Sequence, residues 1–294
     1  MPPGPTARRR QLARRLRELR EGRGLTLEAA AELAGVSKSS INRYEKKDDK
    51  GAVKWAAVKA LCADAYQADP DVTAELVELA KNARVEGWWE PFGSAAPDSV
   101  TPLLGFEAEA AELLYWAPGR TPGMLQTEEY ATAVISAAEV RAEPAEIRQM
   151  VDVRMRRRAV LERPDPPLLC AILDEAVLRR RVGSNEVMAG QLAYLVECAR
   201  RPHMTIQVLE LASGAHAAGE PGFVYLRGSE PGLDLVHVPL VGSAALYLDK
   251  TAEVETYREA FDDLRSQALG PAESSEVMTK LGHAYEAAAR RESR

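Results

Sequence analysis

The stretch that most constrains this chain is residues 25–47, LTLEAAAELAGVSKSSINRYEKK. Two short helical patterns flank a Gly35-Val36-Ser37 turn. Thr26 is placed to cap the first helix, with Glu28 in the first turn where a carboxylate suits the helix dipole. Ala30, Ala31 and Ala34 are small enough for a second helix to approach closely. Gly35 accepts the positive φ of a sharp helix exit, and Ser37 is the candidate cap of the next helix. There Ile41 and Tyr44 lie three apart and face inward. Lys38, Ser39, Asn42 and Arg43 fall on the opposite side, exposed and rich in hydrogen-bond donors. This is the pattern of a helix-turn-helix, whose second helix enters the DNA major groove.

The charge distribution agrees with such a module. The net charge of −6 is split unevenly along the 294 residues. Residues 1–59 hold 15 Lys and Arg against 7 Asp and Glu, a surplus of +8, while the remainder holds 23 against 37, or −14. A basic end on an acidic body directs only that end to a phosphate backbone. Cys62, Cys170 and Cys198 are odd in number, widely spaced and set in apolar patterns, which predicts buried thiols in a reducing cytoplasm. No apolar run reaches the 18 or so residues of a membrane span.

The chain then divides in order. Residues 1–7, with three prolines, are expected to be disordered. Residues 8–22 predict a helix with Leu12, Leu16 and Leu19 on one face and seven arginines on the others. Residues 53–65 predict a helix whose Trp55, Val58, Leu61 and Cys62 close a small core, and residues 69–84 another. A helical domain is thus expected over 8–85. Residues 86–102, rich in Trp, Pro and Gly, read as a linker whose adjacent tryptophans dock on one domain. Residues 103–294 read as an α+β domain with a largely antiparallel sheet. Its expected elements are a helix over 107–116, a turn leading to a Thr127-capped helix, an Arg-rich helix over 144–163, and a helix over 186–200. Strands are expected near 168–173, 204–211, 223–227, 233–238 and 244–248, and two closing helices end the chain.

Two resemblances extend this reading. Leu25-Thr26, Ala31, Gly35-Val36-Ser37, Ile41 and Tyr44-Glu45 resemble the lambda-repressor-like, Xre-type helix-turn-helix; Leu27 replaces a Gln found in many members. Residues 103–281 resemble the uncharacterised C-terminal domain of WhiJ-type regulators. The match rests on Pro122-Gly123-Met124-Leu125-Gln126-Thr127-Glu128-Glu129-Tyr130-Ala131, Arg154 with Arg157, Leu173-Asp174-Glu175, Leu178-Arg179, Gln191-Leu192, Ile206-Gln207-Val208-Leu209, Phe223 and Tyr247-Leu248-Asp249. Arg158 and His237-Val238-Pro239 depart from that family's pattern. The resemblances imply a homodimeric, cytoplasmic regulator of transcription on double-stranded DNA, antitoxin-like and paired with a small companion protein. Lys38, Ser39, Asn42 and Arg43 are then the expected base contacts. Arg14, Arg15, Ser37, Lys46 and Lys47 are the expected phosphate contacts.

Competing chemistry has little footing. The four histidines lack Cys or carboxylate partners at metal spacing, and neither a Gly-rich phosphate loop nor a nucleophile elbow is present. Asp174-Glu175 reads as a helix cap and a surface charge. Catalytic residues, metals and cofactors are therefore not expected. A ligand sensor is the alternative. The loop 214–222 either folds over a pocket or is a flexible hairpin loop, and the arginines of 148–158 bind an acidic partner, additional DNA, or nothing.

Overall fold

A computed structural model describes residues 5–46, 53–82, 90–96, 100–219, 221–228, 233–241 and 244–293. The expected polar loop at 48–51, Lys47, and the Trp88-Trp89 pair lie outside these residues, as do residues 1–4. The chain forms two compact units, Met1–Glu90 and Pro91–Arg294.

The described residues of the first unit form helices and short connections, with no strand among them. Its elements are α1 (Pro5–Gly22), α2 (Leu27–Ala34), α3 (Lys38–Tyr44), α4 (Trp55–Ala60) and α5 (Pro70–Asn82), with a π-helical turn, Leu61–Ala65, extending α4. The first helix begins at Pro5, ahead of the expected Arg8, because proline suits a helix start where its missing N–H is not needed. Leu12 and Leu16 of α1 meet Ile41 and Tyr44 of α3, and Val58, Leu61 and Leu76, in one buried core. Trp55 does not join it. It is 45% exposed at the first residue of α4, with the Lys81 ammonium 5.7 Å from its ring. Helical spacing put Trp55 in line with Val58 and Cys62, but the buried residue at this end of α4 is Val53, from the segment just before the helix.

In the second unit one six-stranded sheet carries the helices. After α6 (Thr101–Glu107) come β1 (Glu112–Ala117), α7 (Glu128–Ala138), α8 (Pro144–Arg157), β2 (Leu168–Asp174), α9 (Glu175–Arg179) and α10 (Asn185–Cys198). Next are β3 (Met204–Leu209), β4 (Phe223–Arg227), β5 (Leu235–Pro239), β6 (Ala245–Leu248), α11 (Thr251–Gln267) and α12 (Pro271–Glu292). The strand order is β3-β2-β1-β4-β5-β6. Two pairings are parallel, β1 with β2 and β2 with β3, and the three on the other side of β1 are antiparallel.

The helix expected over 107–116 is thus replaced by the last residue of α6, a turn and the central strand. From Leu113 to Ala117 every residue of β1 is buried. A strand covered on both faces is a continuous apolar run, and such a run has no alternation to separate it from a buried helix. The expected strands at the other five positions are all present. Edge strand β3 is closed by the segment entering α12: Val208 N–H donates to Ser274 Oγ at 3.0 Å, and Leu269 N–H donates to Val208 O at 2.9 Å.

Register sets out two faces. Tyr115, Val224, His237 and Tyr247 follow one another across β1, β4, β5 and β6 on one face. On the other, Trp116, Ile172, Phe223 and Val236 pack with Phe261 and Leu264 of α11. All three cysteines are free and buried, and burial pushes the Cys62 and Cys170 thiols up to about 11.

Candidate nucleic-acid interface

The helix-turn-helix is built by local signals that each perform as their chemistry dictates. Thr26 Oγ1 accepts from Ala29 N–H at 3.2 Å, capping α2. Gly35 takes φ 62°, the left-handed geometry that ends α2, and a side chain there would be strained. Ser37 Oγ accepts from Ser40 N–H at 3.2 Å and so caps α3. Ile41 and Tyr44 are buried beneath.

Two arginines of α1 hold this hairpin from behind. Arg20 forms a two-pronged ion pair with Glu45, both contacts 2.8 Å, and donates to Leu25 O at 2.8 Å. The Glu45 hydrogen bond is the main cause that raises the Arg20 pKa. Arg9 donates to Arg43 O at 2.7 Å and Tyr44 O at 3.4 Å, satisfying carbonyls at the open end of α3. Arg8, Arg9 and Arg10 are all buried.

The residues expected at bases take differing positions on α3. Asn42 is exposed. Lys38 is exposed and ion-paired to Glu28 of α2, and that bond holds the Glu28 carboxyl below its ordinary range. Ser39 Oγ lies 3.0 Å from Ser37 Oγ, inside the capping group. Arg43 is half-buried, its guanidinium 5.6 Å from the Tyr44 ring, and its Nε is buried without a hydrogen-bond partner among the described residues.

Of the expected phosphate ligands, Lys46 is exposed. The Ser37 hydroxyl is engaged as the cap. Arg14 and Arg15 are half-exposed and both reach Glu18, at 3.4 and 4.0 Å.

A second polar assembly, which sequence reasoning missed, lies inside the other unit. Glu107 is buried at 1% exposure. It accepts two hydrogen bonds from Arg157, at 2.6 and 3.0 Å, and a third from Tyr115 Oη at 3.0 Å. Burial is the largest influence on the Tyr115 hydroxyl, which is held far above its ordinary range. One turn earlier on α8, Arg154 donates to Gln126 Oε1 at 2.9 Å. Gln126 is fixed by its own bond to Thr121 O, and Gln191 ties Leu125 O and Thr127 N–H. Thr127 caps α7 as expected. Within the apolar segment 103–108, Glu107 was the one charged residue, and that was the available signal.

The remaining candidates have structural duties. Asp174 caps α9, accepting from Ala176 N–H at 2.7 Å, while Glu175 pairs with Arg179 and accepts from Leu211 N–H. Residues 214–219 of the expected loop pack down: Gly219 O accepts from Trp116 Nε1 at 3.2 Å and Asp263 accepts from Ala217 N–H at 3.0 Å, while Glu220 lies outside the described residues. At Gly222 a Cβ would come within 2.6 Å of Trp116 O, so only glycine permits this approach. Among the described residues no group of three or more His, Cys, Asp or Glu side chains can hold a metal ion. No helix among them is long and apolar enough to cross a membrane.

A capped helix-turn-helix among five described helices, followed by an α+β unit with a mixed six-stranded sheet, defines a DNA-binding regulator of two parts. Residues 11–76 match the family described as a helix-turn-helix domain. Residues 100–280 match the family described as a domain of unknown function, DUF5753, and this chain belongs to it. No curated protein and no solved structure matches the chain.

Proposed function

We propose that this protein is a sequence-specific regulator of transcription that acts in the cytoplasm as a homodimer on double-stranded DNA. The observation that carries the reading is the capped turn, which leaves Lys38 and Asn42 exposed on a short helix with Arg43 half-buried beside them. Asn suits adenine N6 and N7, and Arg or Lys suits guanine O6 and N7. Lys38, Ser39, Asn42 and Arg43 read base edges, with Lys38 exchanging Glu28 for a base and Arg43 swinging out from Tyr44. Arg14, Arg15, Ser37, Lys46 and Lys47 position the phosphate backbone. Two copies related by a two-fold axis, about 34 Å apart, read a palindrome.

The division of labour follows the charge split. The helical domain, residues 8–85, binds DNA weakly alone, and the linker 86–102 joins it to residues 103–294, which bind a small companion protein in an antitoxin-like pair and supply dimer contacts. No residue is assigned a catalytic role. Binding by Arg43→Ala and Lys46→Ala on cognate and random DNA tests the reading. Arg43→Ala costs roughly 1–3 kcal/mol on the cognate site and much less on random DNA. Lys46→Ala weakens both alike and flattens the salt dependence. Equal losses for Arg43→Ala on both DNAs would refute this assignment of α3.

A further inference from the structure

Helix α12 packs into the fold by one side. Ser274, Met278, Gly282 and Ala289 are buried there, with the Leu192 Cβ 3.6 Å from where a Gly282 Cβ would stand. The other side carries Glu276, Lys280, His283, Glu286 and Arg290, all exposed. These fall on one stripe, because steps of three and four residues return to the same side of a helix. Thr279 and Ala287, short and also exposed, lie between them.

The stripe reads acid, base, imidazole, acid, base, in steps of four, three, three and four residues about His283. Turned end to end, it sets a base wherever the original has an acid. Glu276 then meets Arg290, Lys280 meets Glu286, and His283 meets itself. The pattern is therefore complementary to a second copy lying antiparallel, whereas a parallel copy would oppose like to like. Pairing within the helix accounts for less of it. Glu286 and Arg290 stand 3.9 Å apart, and neither Glu276 nor Lys280 forms an ion pair with another described residue. Two independent i, i+4 pairs need not share a stripe or mirror each other about one residue. Open grooves flank the stripe toward α10, about 470 Å³ beside Val196 and Thr279 and about 590 Å³ beside Ala189 and Ala289. They give the long side chains of an opposing helix apolar walls to lie against.

We propose that α12 is a dimer seam, along which a second copy of this chain docks antiparallel across a two-fold axis at His283. The contacts Glu276 to Arg290 and Lys280 to Glu286 then each occur twice, as an isologous interface requires. Complementary charge fixes orientation and register here more than it supplies affinity. The inference rests on the homodimer reading above and names the surface that the reading leaves open.

Sedimentation of the full chain at low salt tests the seam, and a dimer is expected. Glu276→Arg brings like charges together at two symmetric places and should weaken the dimer about tenfold or more, as should Arg290→Glu. Both changes in one chain make the stripe self-complementary again and should return affinity to within about threefold of the parent. Mild oxidation should crosslink copies carrying His283→Cys. It should not crosslink Glu276→Cys, because the two copies of residue 276 lie about 20 Å apart along the seam. A strict monomer overturns the homodimer reading and the seam together. A dimer that neither single reversal weakens, or that the double change fails to restore, overturns the seam alone. So does crosslinking at position 276 as readily as at 283, or at neither.

Discussion

The chain has two arginine-rich helices, α1 and α8, that read much alike as sequence and serve opposite ends. On α1 the arginines beyond residue 10 pair with glutamates of their own helix, as in Arg14 with Glu18 and Arg17 with Glu21, while Arg20 also reaches Glu45 past the end of α3. On α8, Arg154 and Arg157 turn inward, while Arg156 stacks 4.7 Å from the Phe92 ring. Arg158, just past the helix end, stacks 4.5 Å from the Tyr194 ring. Arginine density therefore does not distinguish a helix whose arginines pair with glutamates of their own helix from one that organises a core. What distinguishes them is the company: i+4 glutamates on α1, and on α8 a carboxylate fifty residues away in sequence.

The sharpest way to break the comparison is Glu107→Ala, which leaves Arg157 charged and buried. A loss of about 3–5 kcal/mol in urea unfolding of the second unit is expected. Replacing both partners, Glu107→Leu with Arg157→Met, should cost much less than the two single losses added. Equal additivity would mean that the pair does not act as one unit.

Next in size is an effect of pH. Burial and the Arg157 charge lower His237 to about 4 from 6.5. Its imidazole stays neutral in the fold, while the unfolded chain takes up the proton first as pH falls. Stability is therefore complete above about 6.5, declines as pH falls toward about 4, and loses no more below that, a total of up to about 3 kcal/mol. Melting curves of His237→Phe across this window should show a shallower decline than the parent.

Within α1 itself the contrast is smaller. Arg20→Ala strips Glu45, whose side chain is only 7% exposed, of its partner and should cost roughly 1.5–3 kcal/mol in the first unit. Arg17→Ala removes an exposed pair with Glu21 and should cost roughly 0.3–0.5 kcal/mol. Similar losses for the two would show that Arg20 is no anchor.

Legibility in sequence followed the range of the interaction. Thr26, Gly35, Ser37 and Thr127 act within three or four residues of themselves, and all four were readable. The strands β2 to β6 announced themselves by Val, Leu, Ile and Tyr bounded by turn residues. Strand β1 did not, because Leu113-Leu114-Tyr115-Trp116 is buried on both sides and shows no period. Trp55 misled because it is the first residue of α4, and there the buried position falls to Val53 from the segment before the helix, which helical periodicity does not describe. Of the expected DNA contacts, the location of α3 was legible. The detail that Ser39 sits in the cap and Arg43 leans on Tyr44 was not, since it depends on rotamers. Glu107 finding Arg157 was beyond reach for a different reason: its partner lies fifty residues away and is fixed only by the finished fold.

The placement of β1 also has a consequence for how the protein is made. Its parallel neighbour is encoded soon after it, but Arg227, the partner of Glu112 on its other side, is more than a hundred residues downstream. At ribosomal speeds of about 5–20 residues per second, the gap amounts to roughly 5–20 s of elongation. Throughout that interval the middle of the future sheet has an unpaired flank on an apolar strand, a surface that invites chaperones or mispairing with neighbouring nascent chains. Substitutions that slow the appearance of β4 therefore lower the yield of native protein while leaving its final stability untouched.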